Sequence, residues 1–298
     1  MTVNALSVDV EDYFHTEAMS SAVPVERWES MSSRVERNTL KLLDQLTRHN
    51  VLCTMFFLGW VARRYPDLVR TASAAGHEIA CHSNLHRAVF RLSPKDFAAD
   101  TREAKETIED VVGISIAGYR APSFSILPQN AWAYEILAEL GFSYDSSTYP
   151  IRHDFYGNQH SPRVPHRVAN GRLLELPIAT VPFLGSNWPI GGGAYLRILP
   201  TSYMFSGLGA RNRAGERAVV YLHPWEIDPD QPRLPVGLKS RLRQYTNLAG
   251  MEGRFERLLT SFRFDTLSHV FAEELKTDHG TQAVAVASKS QSQERQPR

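Results

Sequence analysis

Residues 5–15 read Ala-Leu-Ser-Val-Asp-Val-Glu-Asp-Tyr-Phe-His. A short β-prone run, Ala5–Val10, stops abruptly in the carboxylates of Asp9, Glu11 and Asp12. Such negative charges repel one another. A solvated turn tolerates one or two of them cheaply, and a divalent cation seated among them would stabilise all of them. The run by itself leaves both readings open, but a strand ending in useful polar groups sets a pattern that the rest of the chain repeats.

Further along, Glu36–His49 spaces Leu40, Leu42, Leu43 and Leu46 as a helix does, while Val51–Leu58 is β-branched and aromatic. Tyr65–Ala75 is helical again and Glu78–Cys81 extended. Ser93-Pro94 opens a helix to about Val112, with Ser as the cap and Pro at the first position. Ile114–Gly118 reads as a strand, Pro128–Leu140 as a helix closed by Gly141, and Phe142–Tyr144, Leu173–Ile178 and Ala218–Leu222 as strands. This alternation predicts an α/β architecture with parallel strands. Residues 150–215, with Gly191-Gly192-Gly193, read as a loop-rich elaboration of one domain spanning 1–275, and the polar stretch 276–298 as a disordered tail.

Composition narrows the function. Lys and Arg balance Asp and Glu to a net charge of +1, which gives no electrostatic reason to expect a nucleic-acid partner. Two cysteines, Cys53 and Cys81, exclude a disulfide scaffold and a cysteine-built zinc site. No apolar run is long enough to span a bilayer, and after Met1 there is no charged and apolar leader pattern, so the expectation is a cytoplasmic protein.

Other strand ends repeat the opening pattern. His82-Ser-Asn-Leu-His86 comes directly after Glu78–Cys81 and spaces two histidines as one helical turn would to share a metal ion. On spacing alone, surface or capping histidines are commoner than ligands. Tyr119-Arg120-Ala-Pro122-Ser-Phe124 offers an arginine that either forms a surface ion pair or holds a carboxylate ionised. Tyr144-Asp145-Ser-Ser is also ordinary turn chemistry. Val219-Val-Tyr-Leu-His223-Pro-Trp225 delivers a histidine at a strand end, although a histidine beside an aromatic is more often structural.

In order, SVDVED, HSNLH, RAPSF, DSSTY and YLHP resemble the five motifs of the polysaccharide deacetylases, metal-dependent carbohydrate esterases that act on N-acetylated sugars. DVEDYFH, GYRAPSFSI, YDSSTYP, GGGAYLRILP and YLHPWEID resemble the subgroup encoded with exosortase-type exopolysaccharide loci of bacteria. The resemblance implies a distorted (β/α) barrel of about seven parallel strands. It implies one divalent ion, zinc foremost with cobalt or manganese as alternatives, held by His82 and His86. Asp9 would be the general base, Arg120 its partner, His223 the general acid and Asp145 the residue that orients it. A backbone N–H near Tyr13 would, with the metal, stabilise the oxyanion, and Pro122, Phe124, Tyr149 and Trp225 would wall the substrate site.

The metal-binding carboxylate departs from the family pattern of adjacent aspartates. Strand alternation puts Asp9 and Glu11 on one face, whereas a turn after Val10 would bring Asp12 inward. The shorter Asp12 is the expected ligand and Glu11 its rival. The implied partner is an N-acetylated saccharide, with peripheral association with membrane-bound polysaccharide synthesis machinery. Ring-opening of a small cyclic amide such as allantoin and silent carbohydrate binding are the rival functions.

Overall fold

The computed structural model describes residues 2–153 and 156–276, so the expected tail from 277 onward lies outside the described residues. Strand β1 (Val3–Val10) is its axis. It pairs in parallel with β2 (Thr54–Phe57), which leads on to β3 (Glu78–Cys81), β4 (Gly118–Tyr119) and β5 (Tyr144–Asp145). Beyond β5 come the antiparallel β6 (His166–Val168) and the parallel β7 (Leu173–Glu175), with β7 next to β5. A hairpin, β8 (Thr180–Phe183) and β9 (Ser186–Pro189), stands apart, β10 (Val219–Leu222) flanks β1 on its other side, and β11 (Arg263–Asp265) also pairs with β1.

The sheet order is therefore β10-β1-β2-β3-β4-β5-β7-β6, of which the seven strands from β10 to β7 run parallel. The expected distorted barrel is the observed fold. Irregular backbone bridges the gap between β7 and β10. The Ala179 N–H donates to the Val219 carbonyl (3.0 Å), Ile190 to Ala179 (3.1 Å) and Tyr221 to Gly191 (2.7 Å).

Helices α1 (Val35–Arg48), α2 (Gly59–Arg64), α3 (Pro66–Ala74), α4 (Pro94–Val112) and α5 (Trp132–Glu139) come after the first strands in turn. After them come α6 (Gly193–Ile198), α7 (Thr201–Arg213), α8 (Leu238–Tyr245) and α9 (Met251–Ser261). None of the helices among the described residues is long and apolar enough to cross a membrane. The loop-rich reading of 150–215 lacks the 13-residue α7 and the β8–β9 hairpin. The expected strand over 114–118 shrinks to Gly118–Tyr119.

Period-two alternation sorts the strand residues. Leu6, Val8 and Val10 join the large core that includes Met55, Phe57, Ile79, Cys81 and the helices' apolar faces. Ala5, Phe56, Ala80, Tyr144 and Tyr221 form a second cluster inside the barrel. Polar groups share that interior: Glu78 accepts from Thr54 Oγ1 (2.6 Å) and the Tyr144 hydroxyl (2.8 Å). The Tyr144 ring occupies the space where a side chain at position 118 would be, since a Cβ there would lie 2.2 Å from it, and glycine at 118 leaves it room.

Candidate metal and catalytic centre

Strand register brings the polar residues together. Val10, Phe57, Cys81, Tyr119, Asp145 and Glu175 lie side by side across the sheet, so the residues just past them leave the barrel at one rim. Carboxyl ends of parallel strands are where such folds build sites. A cavity of about 690 Å³ opens there, lined among others by Asp9, Glu11, His82, His86, Phe124, His223 and Trp225.

Glu11, His82 and His86 each offer a ligand atom, and these atoms lie within 4.8 Å of one another. His82 Nδ1 donates to the Arg120 carbonyl at 2.8 Å, which fixes the tautomer and leaves the Nε2 lone pair for a cation. His86 Nε2 sits 2.8 Å from Glu11 Oε2, yet that buried oxygen accepts no well-directed hydrogen bond. An orphaned buried carboxylate oxygen facing imidazole nitrogen suits a divalent ion, and the donor set of two histidines and one carboxylate fits zinc. Glu11 Oε1 accepts from the Trp225 indole at 3.2 Å. Burial opposes charge on Glu11, but His86, His223 and His82 outweigh it and hold the carboxyl well below its usual range.

The histidine pair does not lie on a helix. Residues 82–88 form an irregular loop in which Ser83 (φ 69°) and His86 (φ 50°) are left-handed. Neighbours over-determine this strained path. Asp100 accepts from the Asn84 N–H at 2.8 Å, Ser83 Oγ from the His86 N–H at 3.1 Å, and the Ser83 carbonyl from Gly59 at 2.9 Å.

Asp12 is not beside the histidines. The backbone turns after β1, and its carboxylate caps the start of α1 instead, accepting from Ser33 Oγ (2.7 Å) and the N–H groups of Arg34 (2.7 Å) and Val35 (3.1 Å). Unpaired helix N–H groups and the helix dipole favour an anion there. Asp9 and Glu11 share the inward face, as alternation requires. The turn itself is fastened by the Asp12 N–H donating to His15 Nδ1 (3.0 Å), with the imidazole set edge-on or tilted against Phe14, Trp28 and Trp60. Burial pushes His15 down to about 3, so it stays neutral.

Arg120, wholly buried, donates Nη1 to Asp9 Oδ1 at 2.6 Å and to Ser7 Oγ at 2.8 Å, and its other nitrogens to the Ser146 carbonyl and hydroxyl. It lies 4.2 Å from the Phe56 ring centroid. Ser7 escapes the sequence reading, although it precedes Asp9 by two on the same strand face. His223 presents Nε2 toward Glu11 Oε1 (3.4 Å) and Asp9 Oδ2 (3.9 Å). Burial lowers its pKa, and Glu11, Glu226 and Asp9 more than reverse that, raising it to about 9.

Three further expectations need correction. Asp145 does not reach His223. Its carboxylate accepts from Ser147 Oγ (2.6 Å) and N–H (3.2 Å) beside buried Glu175, and Glu226 contacts His223 Nδ1 at 3.2 Å instead. Glu226, absent from the sequence reading, was detectable as the glutamate three positions after His223 in a proline-initiated turn. The Tyr13 N–H donates to Asp12 Oδ1 (2.9 Å), so it is committed away from any oxyanion. Tyr149 and Pro122 are buried behind the cavity wall, Tyr149 against Phe124 (centroids 5.4 Å apart), while Phe124 and Trp225 do line it.

Residues 28–144 match the family model described as Polysaccharide deacetylase, and residues 146–272 match Domain of unknown function (DUF3473). A chitooligosaccharide deacetylase of Rhizobium leguminosarum bv. trifolii is 42% identical over 74 residues, covering 25% of this chain and 33% of that protein. A peptidoglycan-N-acetylglucosamine deacetylase of Bacillus cereus is 31% identical over 98 residues, covering 33% of this chain and 36% of its own length. The chain spans only about a third to two-fifths of the length of such curated relatives. The crystal structure of a polysaccharide-deacetylase-type protein from Mycobacterium smegmatis superposes with a TM-score of 0.60 at 21% identity, over 94% of each chain, which is a likeness of fold.

Proposed function

We propose, from the match of residues 28–144 to the family model described as Polysaccharide deacetylase, that the chain is a metal-dependent hydrolase removing N-acetyl groups from an N-acetylhexosamine polymer or oligomer. One observation carries this reading. Glu11, His82 and His86 converge on one point while Asp9 and His223 face the same cavity beside them. The relatives named above act on chitooligosaccharide and peptidoglycan, which supports an N-acetylated saccharide as substrate. The subgroup motifs favour a bacterial exopolysaccharide, handled by a protein outside the bilayer that docks on membrane-bound synthesis machinery. In this reading 1–275 act as one catalytic unit.

The roles come from the geometry. Glu11, His82 and His86 would hold a divalent ion, zinc by its donor set, and such an ion supplies an acidified water and a polarised acetyl carbonyl. Asp9, oriented by the Arg120 guanidinium at 2.6 Å, is placed to take a proton as general base. His223, whose pKa its carboxylate neighbours raise, has its Nε2 at the cavity beside Asp9 and is placed to give a proton to the leaving amine. Phe124 and Trp225 offer apolar walls beside these groups.

Acetate release from N-acetylglucosamine oligomers, set against ring-opening of allantoin, tests the proposal. Zinc-, cobalt- or manganese-loaded protein should release acetate, lose that activity to a chelator and regain it with metal. Tight oligosaccharide binding without acetate, or turnover of allantoin alone, would overturn it.

A further inference from the structure

The C-terminal part of the centre holds an arrangement that none of the roles above uses. Glu226 is completely buried. Its Oε2 accepts from the His223 backbone N–H (3.1 Å) and faces the imidazole Nδ1 (3.2 Å), while Oε1 accepts from Arg197 Nε (3.2 Å). Arg197 is also completely buried, and its other two nitrogens donate to the carbonyls of Thr246 (2.5 Å) and Arg243 (2.6 Å). Two desolvated charges in this position persist only because they pair and their remaining sites are satisfied. An ionised carboxylate can only accept, so Nδ1 of His223 must be the donor.

Two more contacts define the ring's position. Trp225 stacks on His223 with centroids 5.2 Å apart and 23° between planes. With one face on the indole and the Nδ1 edge on Glu226, the edge left toward the cavity is Nε2. Gly193, at the start of α6, makes the room. A Cβ there would fall 2.0 Å from Glu226 Oε2, within the carboxylate itself. Gly193, Arg197, His223 and Glu226 all lie in the 146–272 segment of unassigned role.

We propose that Arg197 and Glu226 are positioning residues for His223, seated by Gly193, and that the 146–272 segment serves the reaction by holding that imidazole with Nε2 toward the substrate. The proposal rests on the deacetylase reading and adds to it the device, absent from the Asp145 expectation, that orients the acid. Arg197 acts through Glu226, and Glu226 through His223; neither needs to touch the substrate.

Kinetics on N-acetylglucosamine oligomers and proton NMR of the metal-loaded full chain test this. Glu226→Ala should lower kcat about 10–100-fold, the scale of losing a partner that orients a functional histidine, with KM within about threefold. The downfield, hydrogen-bonded Nδ1 proton of His223 should vanish. Glu226→Gln keeps one accepting oxygen but turns an NH2 toward either Arg197 Nε or His223, so it should recover only part of the rate and of the signal. Removing Glu226 leaves Arg197 buried without its partner. Should Glu226→Ala fail to fold for that reason, Gly193→Ala decides the matter, because it displaces the carboxylate while keeping both charges, and should reproduce the kcat loss. An unchanged kcat in a folded Glu226→Ala or Gly193→Ala protein would sink the proposal. So would a rate loss matched by an equal rise in KM with the Nδ1 signal intact. Wild-type protein that releases no acetate would instead defeat the deacetylase reading, and the proton signal would still report on the geometry.

Discussion

Glu11 and Asp12 are adjacent carboxylates with opposite tasks, and the pleat separates them. Glu11 lies two residues after Asp9 and shares its inward face, while Asp12 turns to the start of α1. Substitutions should separate these tasks. Glu11→Gln is expected to abolish stoichiometric metal binding, measured by elemental analysis, without unfolding the protein. Asp12→Ala should keep the metal and cost about 0.5–2 kcal/mol in a denaturant melt, the usual range for a lost helix cap. Metal loss in Asp12→Ala with retention in Glu11→Gln would reverse the assignment. Asp9→Asn should spare metal content and nearly eliminate turnover, and His223→Ala should slow it by about 10²–10⁴-fold, as for a general acid–base residue. Asp9, His82 and His223 were legible because each stands at the end of an apolar run, and His86 only by its spacing from His82. The choice of Glu11 over Asp12 was not, because it depends on where the turn begins. That turn is fixed by His15 and by α1, a helix more than twenty residues further along the chain.

Elements succeed or fail as sequence signals by how much of their buried face is apolar. Helix α4 runs Pro94–Val112 as its serine cap and proline indicate, and Ser93 Oγ accepts from the Asp96 N–H at 3.1 Å. Helix α7 was unreadable because its buried face is Met204, Gly207, Leu208 and Arg211: the spacing is helical, but a glycine and an arginine hide it. Arg211 is acceptable there because it donates to the Thr180 carbonyl (2.9 Å). In the last turn of α4, Glu109 accepts from Lys105 and, beyond the helix end, from the Ile116 N–H (2.9 Å) and Ser115 Oγ (3.0 Å), fastening the helix to the approach of β4. Burial raises the Glu109 pKa and these bonds outweigh it, so the folded value lies below the unfolded one. Its contribution to stability is therefore present above the unfolded value of about 4.3 and lost as pH falls through the folded one. Glu109→Gln should lower the Tm at pH 7, with the gap from wild type closing in acid; a gap independent of pH would refute the ion-pair account.

The barrel is completed by chain from both family segments. β10 lies beside β1, and Arg120, from residues 28–144, is bonded to Ser146 and, across the barrel, to Ser7 and Asp9. A fragment ending at 145 would expose one edge of β1, leave a buried guanidinium short of partners and lack His223. It is expected to show no cooperative thermal transition by circular dichroism, whereas a sharp transition would mean that the first segment folds alone. For the full chain, a divalent ion that binds only the folded state should raise the Tm with concentration. That rise should vanish in Glu11→Gln, and persistence would place the ion elsewhere.

Periodicity by itself indicated the α/β class and the parallel strands, and strand-end chemistry marked Asp9, His82, Arg120 and His223 as candidates, because each follows a short apolar run; the resemblance to the polysaccharide deacetylases supplied their expected roles. Tertiary structure alone decided which carboxylate meets the histidines, that Asp145 stays away from His223, and which aromatics reach the cavity. Those outcomes depend on turns and on contacts between residues far apart in the chain, where no local pattern encodes direction. Glu226, by contrast, meets the imidazole from three positions on in its own turn, where Gly193 leaves space for the carboxylate and Arg197 Nε donates to it.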